Sequence, residues 1–169
     1  ILPSTEPTVF GAYFISNTYS DGKGVLTFDG EITKIGNDAF KDIGNLASIT
    51  IPDSVTSIGR NAFSGCTSLP IENNIRYADT YVVKVTDKTL TSYTLKENVR
   101  FIGSYAFSSC DSLTSITIPD SVTSIGDYAF YDCTSLTSVT IPDSVTSIGK
   151  WAFSSCDSLT SVTIGNGVT

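Results

Sequence analysis

The four cysteines are the residues whose spacing most directly suggests chemistry. Cys110, Cys133 and Cys156 follow one another at intervals of 23 residues, and Cys66 stands in the same sequence context. The chain has no histidine and no Cys-x-x-Cys pair, so we do not expect a zinc site. If one interval is one coil of a stack, neighbouring cysteine Cα atoms lie roughly 5 Å apart while their Cβ atoms point in parallel, which disfavours disulfides. We therefore predict free, buried thiols that resist modification in the folded protein.

Acidic residues recur at a second position of the same interval, where we find Asp53, Glu97, Asp120 and Asp143. A carboxylate column could gather Ca²⁺, but acids here are also ordinary turn chemistry, and the cation requires roughly six or more oxygens. The chain lacks a Ser/His/Asp set, a Cys/His pair and a glycine-rich phosphate loop. We therefore predict no enzyme, no cofactor and no metal. A carboxylate pair of a glycoside hydrolase stays a remote alternative, because aspartate is plentiful.

Composition narrows the class of protein further. The 169 residues are 40% hydrophobic and 16% charged, which suits one folded domain rather than a disordered tail. The net charge of −7 argues against a nucleic-acid partner, which would need a basic face. No apolar run reaches the roughly 20 residues that span a bilayer. The chain starts at Ile1 and contains no methionine, so we expect any signal or anchor to lie outside this segment.

An internal repeat organises these positions. Its pattern is Leu-x-x-(Ile/Val)-x-Ile-Pro-x-x-Val-x-x-Ile-Gly-x-x-Ala-Phe-x-x-Cys-x-x. Four copies occupy 46–68, 90–112, 113–135 and 136–158, a degenerate copy precedes them at 23–45, and a partial copy starts at Leu159. Within a copy, Ile116 and Ile118 alternate with Thr117, as in a short strand with one buried face. Pro119 then predicts a turn, Val122 and Ile125 a second extended segment, and the Ala-Phe segment a short helical turn.

A single copy cannot bury its own apolar face, whereas stacked copies can, so the pattern predicts a repeat solenoid. We expect a strand-rich, right-handed superhelix of parallel stacked coils with short helical turns, in which residues 23–169 form the solenoid. Residues 1–22 are interpreted as its N-terminal cap, and the last repeat as truncated. Residues 69–89 depart from the pattern and predict a β-hairpin insertion, from Ile75 to Val85 around Asp79, that bulges from one edge.

The pattern resembles the BspA-like leucine-rich repeat family, whose 23-residue units share the Ile-Pro-x-x-Val-x-x-Ile-Gly-x-x-Ala-Phe-x-x-Cys signature. The resemblance covers residues 23–169 apart from the insertion. It implies a leucine-rich-repeat-like fold and a bacterial surface or secreted protein, extracellular or cell-surface in location. It also implies attachment to host proteins or other cells.

The expected function is a non-catalytic binding scaffold for a host or neighbouring-cell surface protein or glycan. A structural spacer within a longer repeat array is the alternative. The expected partner contacts combine outward strand threonines with an arginine and two tyrosines of the hairpin. They are Thr50, Thr94, Thr117, Thr140, Arg76, Tyr77 and Tyr81. The threonine column also fits a purely structural role, because threonine suits exposed strands.

Overall fold

The computed structural model of the chain describes residues 7–20 and 23–169. One short helix and thirteen strands occur in the described part of the chain. In order they are α1 (Pro7–Phe10), β1 (Phe14–Ser20), β2 (Lys23–Phe28), β3 (Lys34–Ile35), β4 (Ser57–Ile58), β5 (Ile71–Glu72), β6 (Ile75–Ala78), β7 (Tyr81–Val85), β8 (Phe101–Ile102), β9 (Ser115–Ile116), β10 (Ser124–Ile125), β11 (Ser138–Ile141), β12 (Ser147–Ile148) and β13 (Ser161–Ile164).

Most strands stack in parallel in two ladders. The first ladder contains β9, β11 and β13, and the second contains β8, β10 and β12. The strands β3 and β4 pair in the same way nearer the N-terminus. Ser138 pairs with Ser161, and Ser124 with Ser147, so each repeat of 23 residues adds one coil. The predicted solenoid of parallel stacked coils is confirmed.

A short turn separates the two strands of each coil. The Val122 N–H donates to the Pro119 carbonyl at 3.0 Å, and Val145 repeats this bond to Pro142 at 3.1 Å. Proline has no N–H and a fixed φ, so the first strand cannot continue its ladder past this point. The strands of the coils therefore stay only two to four residues long.

The segment after the second strand closes each coil through turns rather than a helix. Tyr128 and Asp132 have φ of 56° and 61°, and the Ala129 N–H donates within the coil to the Gly126 carbonyl at 3.3 Å. The amides of Tyr128, Phe130 and Asp132 instead donate to the next coil at 2.8–2.9 Å. A left-handed residue at every fourth position is incompatible with a helix. This segment therefore consists of non-helical turns, and the prediction of a short helical turn here is wrong.

The glycine that recurs at one position of the repeat is explained by contact between coils. A Cβ on Gly126 would lie 2.6 Å from the backbone nitrogen of Ser104 in the preceding coil. At Gly103 the nearest atom would be the Tyr81 hydroxyl, at 2.4 Å. Glycine at this position lets successive coils approach closely.

Threonine hydroxyls add a second set of links between coils. Thr137 donates through both its N–H and its hydroxyl to the Thr114 carbonyl, at 3.1 and 3.2 Å. Thr146 does the same to Thr123, at 2.9 and 3.2 Å. Each such hydrogen bond contributes about 0.5–1.5 kcal/mol. These threonines are distinct from the outward column of the sequence analysis, and they hold the coils in register.

Aromatic and cysteine columns fill the interior. The rings of Phe107, Phe130 and Phe153 stack almost parallel, with centroids 4.9 and 5.0 Å apart. This is the offset spacing that aromatic pairs favour. The column continues the 23-residue period through the core, so each coil buries the same side chain against the same neighbour.

The thiols are free, as predicted, but Cys156 is only half-buried, and resistance to modification stays a prediction. All four cysteines are free, with Cys66, Cys110 and Cys133 buried and Cys156 half-buried. The Cys133 thiol donates to the Phe107 carbonyl at 3.1 Å. Hydrogen bonding to Cys110 and Cys156, together with burial, raises the pKa of Cys133, and burial raises the pKa of Cys66. The cysteine column is therefore a packing element.

The hairpin of residues 69–89 forms as predicted, but its position differs. β6 and β7 pair antiparallel around Asp79, and β5 adds a third strand. β7 also pairs in parallel with β8, and Gly103 donates to Val82 at 2.9 Å as Gly126 donates to Ile102 at 2.8 Å. β7 therefore occupies, in the second ladder, the position that the second strand of a coil occupies elsewhere in the stack. The expectation that the insertion bulges from one edge is wrong, because the apolar side chains of β6 and β7 are buried within the stack.

The N-terminal residues lie against the first repeat. β1 pairs antiparallel with β2, and Phe10 of α1 is buried, with its ring centroid 5.0 Å from that of Phe28 and 6.0 Å from that of Phe40. Of the cap predicted over residues 1–22, residues 1–6 and 21–22 lie outside the described residues. In the remainder, Phe10 and Ala12 are buried. The capping role of this segment stays a prediction.

Candidate recognition surfaces

The threonines predicted as contacts form an outward column. Thr50, Thr94, Thr117 and Thr140 are all exposed, each between inward-facing neighbours. Within β11, Thr140 stands in register with Thr163 of β13, so hydroxyls of successive coils line up. This alternation follows from the period of two in an extended strand. The column is available to a partner, but it also has the composition of an ordinary exposed strand face.

The two hairpin tyrosines are in the core. Tyr77 is 1% exposed and Tyr81 is 4% exposed. Burial raises the pKa of both hydroxyls. Because β6 and β7 are built into the stack, these rings pack against neighbouring coils instead of facing solvent. Neither side chain can reach a partner in this structure, so Tyr77 and Tyr81 are not part of an exposed contact surface.

Of the three hairpin residues predicted as contacts, Arg76 is the one that is not buried. It is half-buried, and its Nη1 donates to the carbonyls of Thr67 and, at 2.9 Å, Leu69. It lines a cleft of about 260 Å³ beside the hairpin. The structure therefore separates Arg76 from the tyrosines with which the sequence grouped it.

A column of aromatic side chains lies on the outer side of the turn segments. Tyr105 and Trp151 are 37% and 63% exposed, and Tyr128 lies between them in the stack. The rings of Tyr105 and Tyr128 are stacked, with centroids 4.9 Å apart and an angle of 2° between planes. The Arg60 guanidinium lies 5.3 Å from the Tyr105 centroid and donates to the Tyr105 hydroxyl. We call Arg60, Tyr105, Tyr128 and Trp151 the aromatic column.

The backbone under this column is unfavourable for aromatic residues. Tyr105, Tyr128 and Trp151 have φ of 60°, 56° and 59°. Asp38 and Asn61 hold the same repeat position with φ of 55° and 56°, and Asp and Asn tolerate this region most easily among non-glycine residues. The fold therefore needs no aromatic residue here. The signal for this column in the sequence is the residue two places after the repeat glycine, which is aromatic in three consecutive copies and Asp or Asn in the first two.

The repeated acids do not converge. Asp53 pairs at 3.7 Å with Arg100, and Asp143 accepts a 2.7 Å hydrogen bond from the Asn166 N–H, as a turn residue would. Over residues 7–20 and 23–169, no group of three or more Cys, Asp or Glu side chains is arranged to hold a metal ion. Nor does any helix in those residues have the length and apolarity needed to cross a bilayer.

Comparison with known proteins places these features in a family. The profile for the BspA type leucine rich repeat region matches residues 24–89 and 85–169, in six copies. No curated protein matches the chain significantly.

Several solved structures are similar to the chain. A leucine rich cell surface protein of Faecalibacterium prausnitzii is 28% identical, with 97% of this chain and 55% of that protein covered and a TM-score of 0.47. A leucine-rich repeat protein of Bacteroides ovatus is 31% identical, with 87% of this chain and 31% of that protein covered and a TM-score of 0.41. A leucine-rich repeat protein of Eubacterium ventriosum is 28% identical, with 78% of this chain and 36% of that protein covered and a TM-score of 0.46.

The chain thus spans between about a third and about half of the length of these three proteins. The family assignment depends on the profile match, which covers the whole solenoid, and on the repeat period that the two ladders reproduce. The chain belongs to the BspA-type leucine-rich repeat family.

Proposed function

We propose that this chain is a non-catalytic recognition scaffold of a bacterial surface or secreted protein. Its partner would be a protein or glycan of a host or neighbouring cell. Leucine-rich-repeat proteins of this kind are generally non-catalytic. Surface exposure and adhesion are what the family resemblance implies, and both belong to the proposal.

The observation that carries the proposal is the aromatic column. Three bulky rings occupy left-handed backbone positions that Asp38 and Asn61 fill in other coils. A residue held in such a conformation without need in the fold points to a function. Tyr, Trp and Arg are also the residues that most often dominate binding energy at interfaces. We therefore place the main contact surface on Arg60, Tyr105, Tyr128 and Trp151.

The threonine column is a second, weaker contact surface in this proposal. Its hydroxyls are exposed and evenly spaced, but threonine also stabilises a strand face without any ligand. The two surfaces belong to different segments of each coil, since the threonines lie on the first strand and the aromatic residues on the closing turns. They can therefore be tested separately.

The test is binding of the purified chain to a panel of immobilised host matrix proteins and glycans. The informative variant combines Tyr128→Asn and Trp151→Asn, because asparagine accepts the left-handed backbone and should keep the fold intact. Its matched control combines Thr117→Glu and Thr140→Lys, which changes the threonine column and keeps the net charge constant.

We expect saturable binding that the asparagine variant loses by about tenfold or more, since interface aromatic residues often contribute over 1.4 kcal/mol each. Binding lost only in the threonine variant would move the contact surface to the strand face. No binding to any panel member would contradict the recognition role for these ligands and favour the spacer.

A further inference from the structure

The stack of turn segments is interrupted at one internal junction. At the other three internal junctions, three alternate amides of one coil donate to three carbonyls of the next, at 2.7–3.0 Å. At the first junction, for example, Asp38, Phe40 and Asp42 donate to Arg60, Ala62 and Ser64. Between coils 46–68 and 90–112 the hairpin holds the turn segments apart. The corresponding amides of Asn61, Phe63 and Gly65 have no acceptor among the described residues.

The opposite side of this gap is closed by the hairpin. The Val85 N–H donates to the Ala106 carbonyl at 3.0 Å, and Lys88 Nζ donates to the Ser108 carbonyl. The Ala106 and Ser108 carbonyls of the following coil are thus paired, whereas the equivalent Ser104 carbonyl has no donor among the described residues. The gap therefore presents three open backbone donors against one open acceptor, and it favours a ligand that accepts hydrogen bonds.

The direction of the peptide groups adds charge to this edge. In the turn segments, the amides that link coils all point toward the C-terminal end of the stack. Aligned peptide dipoles leave positive partial charge at an open N–H edge, as at the N-terminus of a helix. The open amides of Asn61, Phe63 and Gly65 belong to alternate residues, and together they form a row of donors along this edge.

Two cations face the same cleft. Arg76 and Lys84 are directly opposite each other on β6 and β7, and both line the cleft of about 260 Å³. Like charges placed directly opposite each other are destabilising. Neither pairs with a carboxylate in the described part of the chain, and the Arg76 Nε is buried without a hydrogen-bond partner there. The cleft lining contains no Asp or Glu, although the chain has 17 acidic residues.

The floor of the cleft is apolar. Phe63, Tyr81 and Val83 line it and are themselves buried. A row of amide donors and two cations beside an apolar floor suits a carboxylate that carries an apolar side chain. The C-terminus of a peptide has this chemistry, and backbone nests commonly capture it.

We propose that the cleft between coils 46–68 and 90–112 binds the C-terminal carboxylate of a peptide that ends in an apolar residue. The terminal carboxylate accepts from one end of the row formed by the Asn61, Phe63 and Gly65 amides, and the preceding peptide carbonyls accept from the rest, with Lys84 and Arg76 beside the carboxylate. Tyr105 of the aromatic column also lines this cleft, whereas Tyr128 and Trp151 do not. The Tyr128→Asn and Trp151→Asn variant therefore tests the proposed function without changing the cleft lining, and Lys84 variants test the cleft without changing the aromatic column.

The test is titration of the chain with a short peptide that ends in leucine with a free carboxylate, followed by proton–nitrogen correlation spectra. We expect the amide protons of Asn61, Phe63 and Gly65 to move downfield and saturate. The same peptide with an amidated C-terminus is the matched control. The affinity of the amidated peptide should be lower by about tenfold or more, because a neutral amide loses the charge-assisted hydrogen bonds.

Lys84→Glu is the informative variant, because Lys84 is exposed and forms no ion pair among the described residues. We expect it to weaken peptide binding by about tenfold or more. Lys150→Glu makes the same charge change at an exposed residue outside the cleft and should leave binding unchanged.

Three results would overturn the proposal. The free and amidated peptides could bind equally, or neither could move the three amides. Glucuronate could also saturate these amides while the peptide does not, which would assign the cleft to an acidic sugar and contradict the peptide assignment.

Discussion

Arg100 Nη2 donates a 2.6 Å hydrogen bond to the Val55 carbonyl, across the hairpin that separates their two coils. Arg100 occupies the repeat position of Thr56, Thr123 and Thr146, whose short hydroxyls link directly adjacent coils. With the hairpin between the coils, a threonine hydroxyl cannot span the distance, and the longer arginine does. The guanidinium also reaches the Asp53 carbonyl at 3.1 Å.

Arg100→Thr should therefore destabilise the protein, even though it restores the threonine of the other coils. We expect a loss of about 1–3 kcal/mol, because backbone carbonyls lose a charged donor. Chemical denaturation measures it. Lys150→Thr removes an exposed side chain of the same charge and should cost within about 0.5 kcal/mol. Equal effects of the two variants would show that Arg100 does not bridge the coils.

Gly126→Ala should destabilise the stack, because its Cβ would lie 2.6 Å from the Ser104 backbone nitrogen. Forcing two coils apart by overpacking costs about 1–3 kcal/mol. Gly30→Ala is the matched control, since no atom lies within 4 Å of a Cβ there. A melting temperature unchanged in Gly126→Ala would argue against close contact between coils at this glycine.

The cysteines should react in a defined order. Cys66, Cys110 and Cys133 are buried and Cys156 is half-buried, so we expect Cys156 to be labelled first by an aromatic disulfide reagent. The other three should react only as the protein unfolds, because a thiol must be accessible and ionised to attack. Peptide mapping after timed labelling identifies the modified residues. Rapid labelling of all four without denaturant would contradict the buried column.

Alkaline pH should unfold the protein through its buried tyrosines. Burial holds the pKa of Tyr81 well above its usual range, so the folded state strongly favours the neutral hydroxyl. The unfolded state loses this proton near pH 10, and the folded state only at higher pH. Stability is thus fully present below about pH 10 and falls as the pH rises further.

Denaturation midpoints measured against pH check this dependence. Tyr81→Phe should make the decline shallower, because it removes one titrating group from the core. Tyr13 is exposed, so Tyr13→Phe should leave the decline unchanged. A decline of the same slope in both variants would contradict the assignment to Tyr81.

The solenoid was predictable from the sequence, because the 23-residue period places an equivalent apolar set in every coil and only stacking buries it. The free cysteine column was also predictable, since equivalent residues of stacked coils point in parallel. The hairpin around Asp79 was predictable from its alternating residues and turn. These features depend on local pattern or on translation by one repeat.

The position of the hairpin in the stack was not predictable from the repeat pattern. The pairing of β7 with β8 joins residues whose contact no repeat period specifies, and it moves Tyr77 and Tyr81 from an expected surface into the core. The same pairing separates two turn segments and opens the cleft at Asn61, Phe63 and Gly65. Such consequences cannot be derived from periodicity, because they arise where the period is broken and long-range strand pairing determines the contacts.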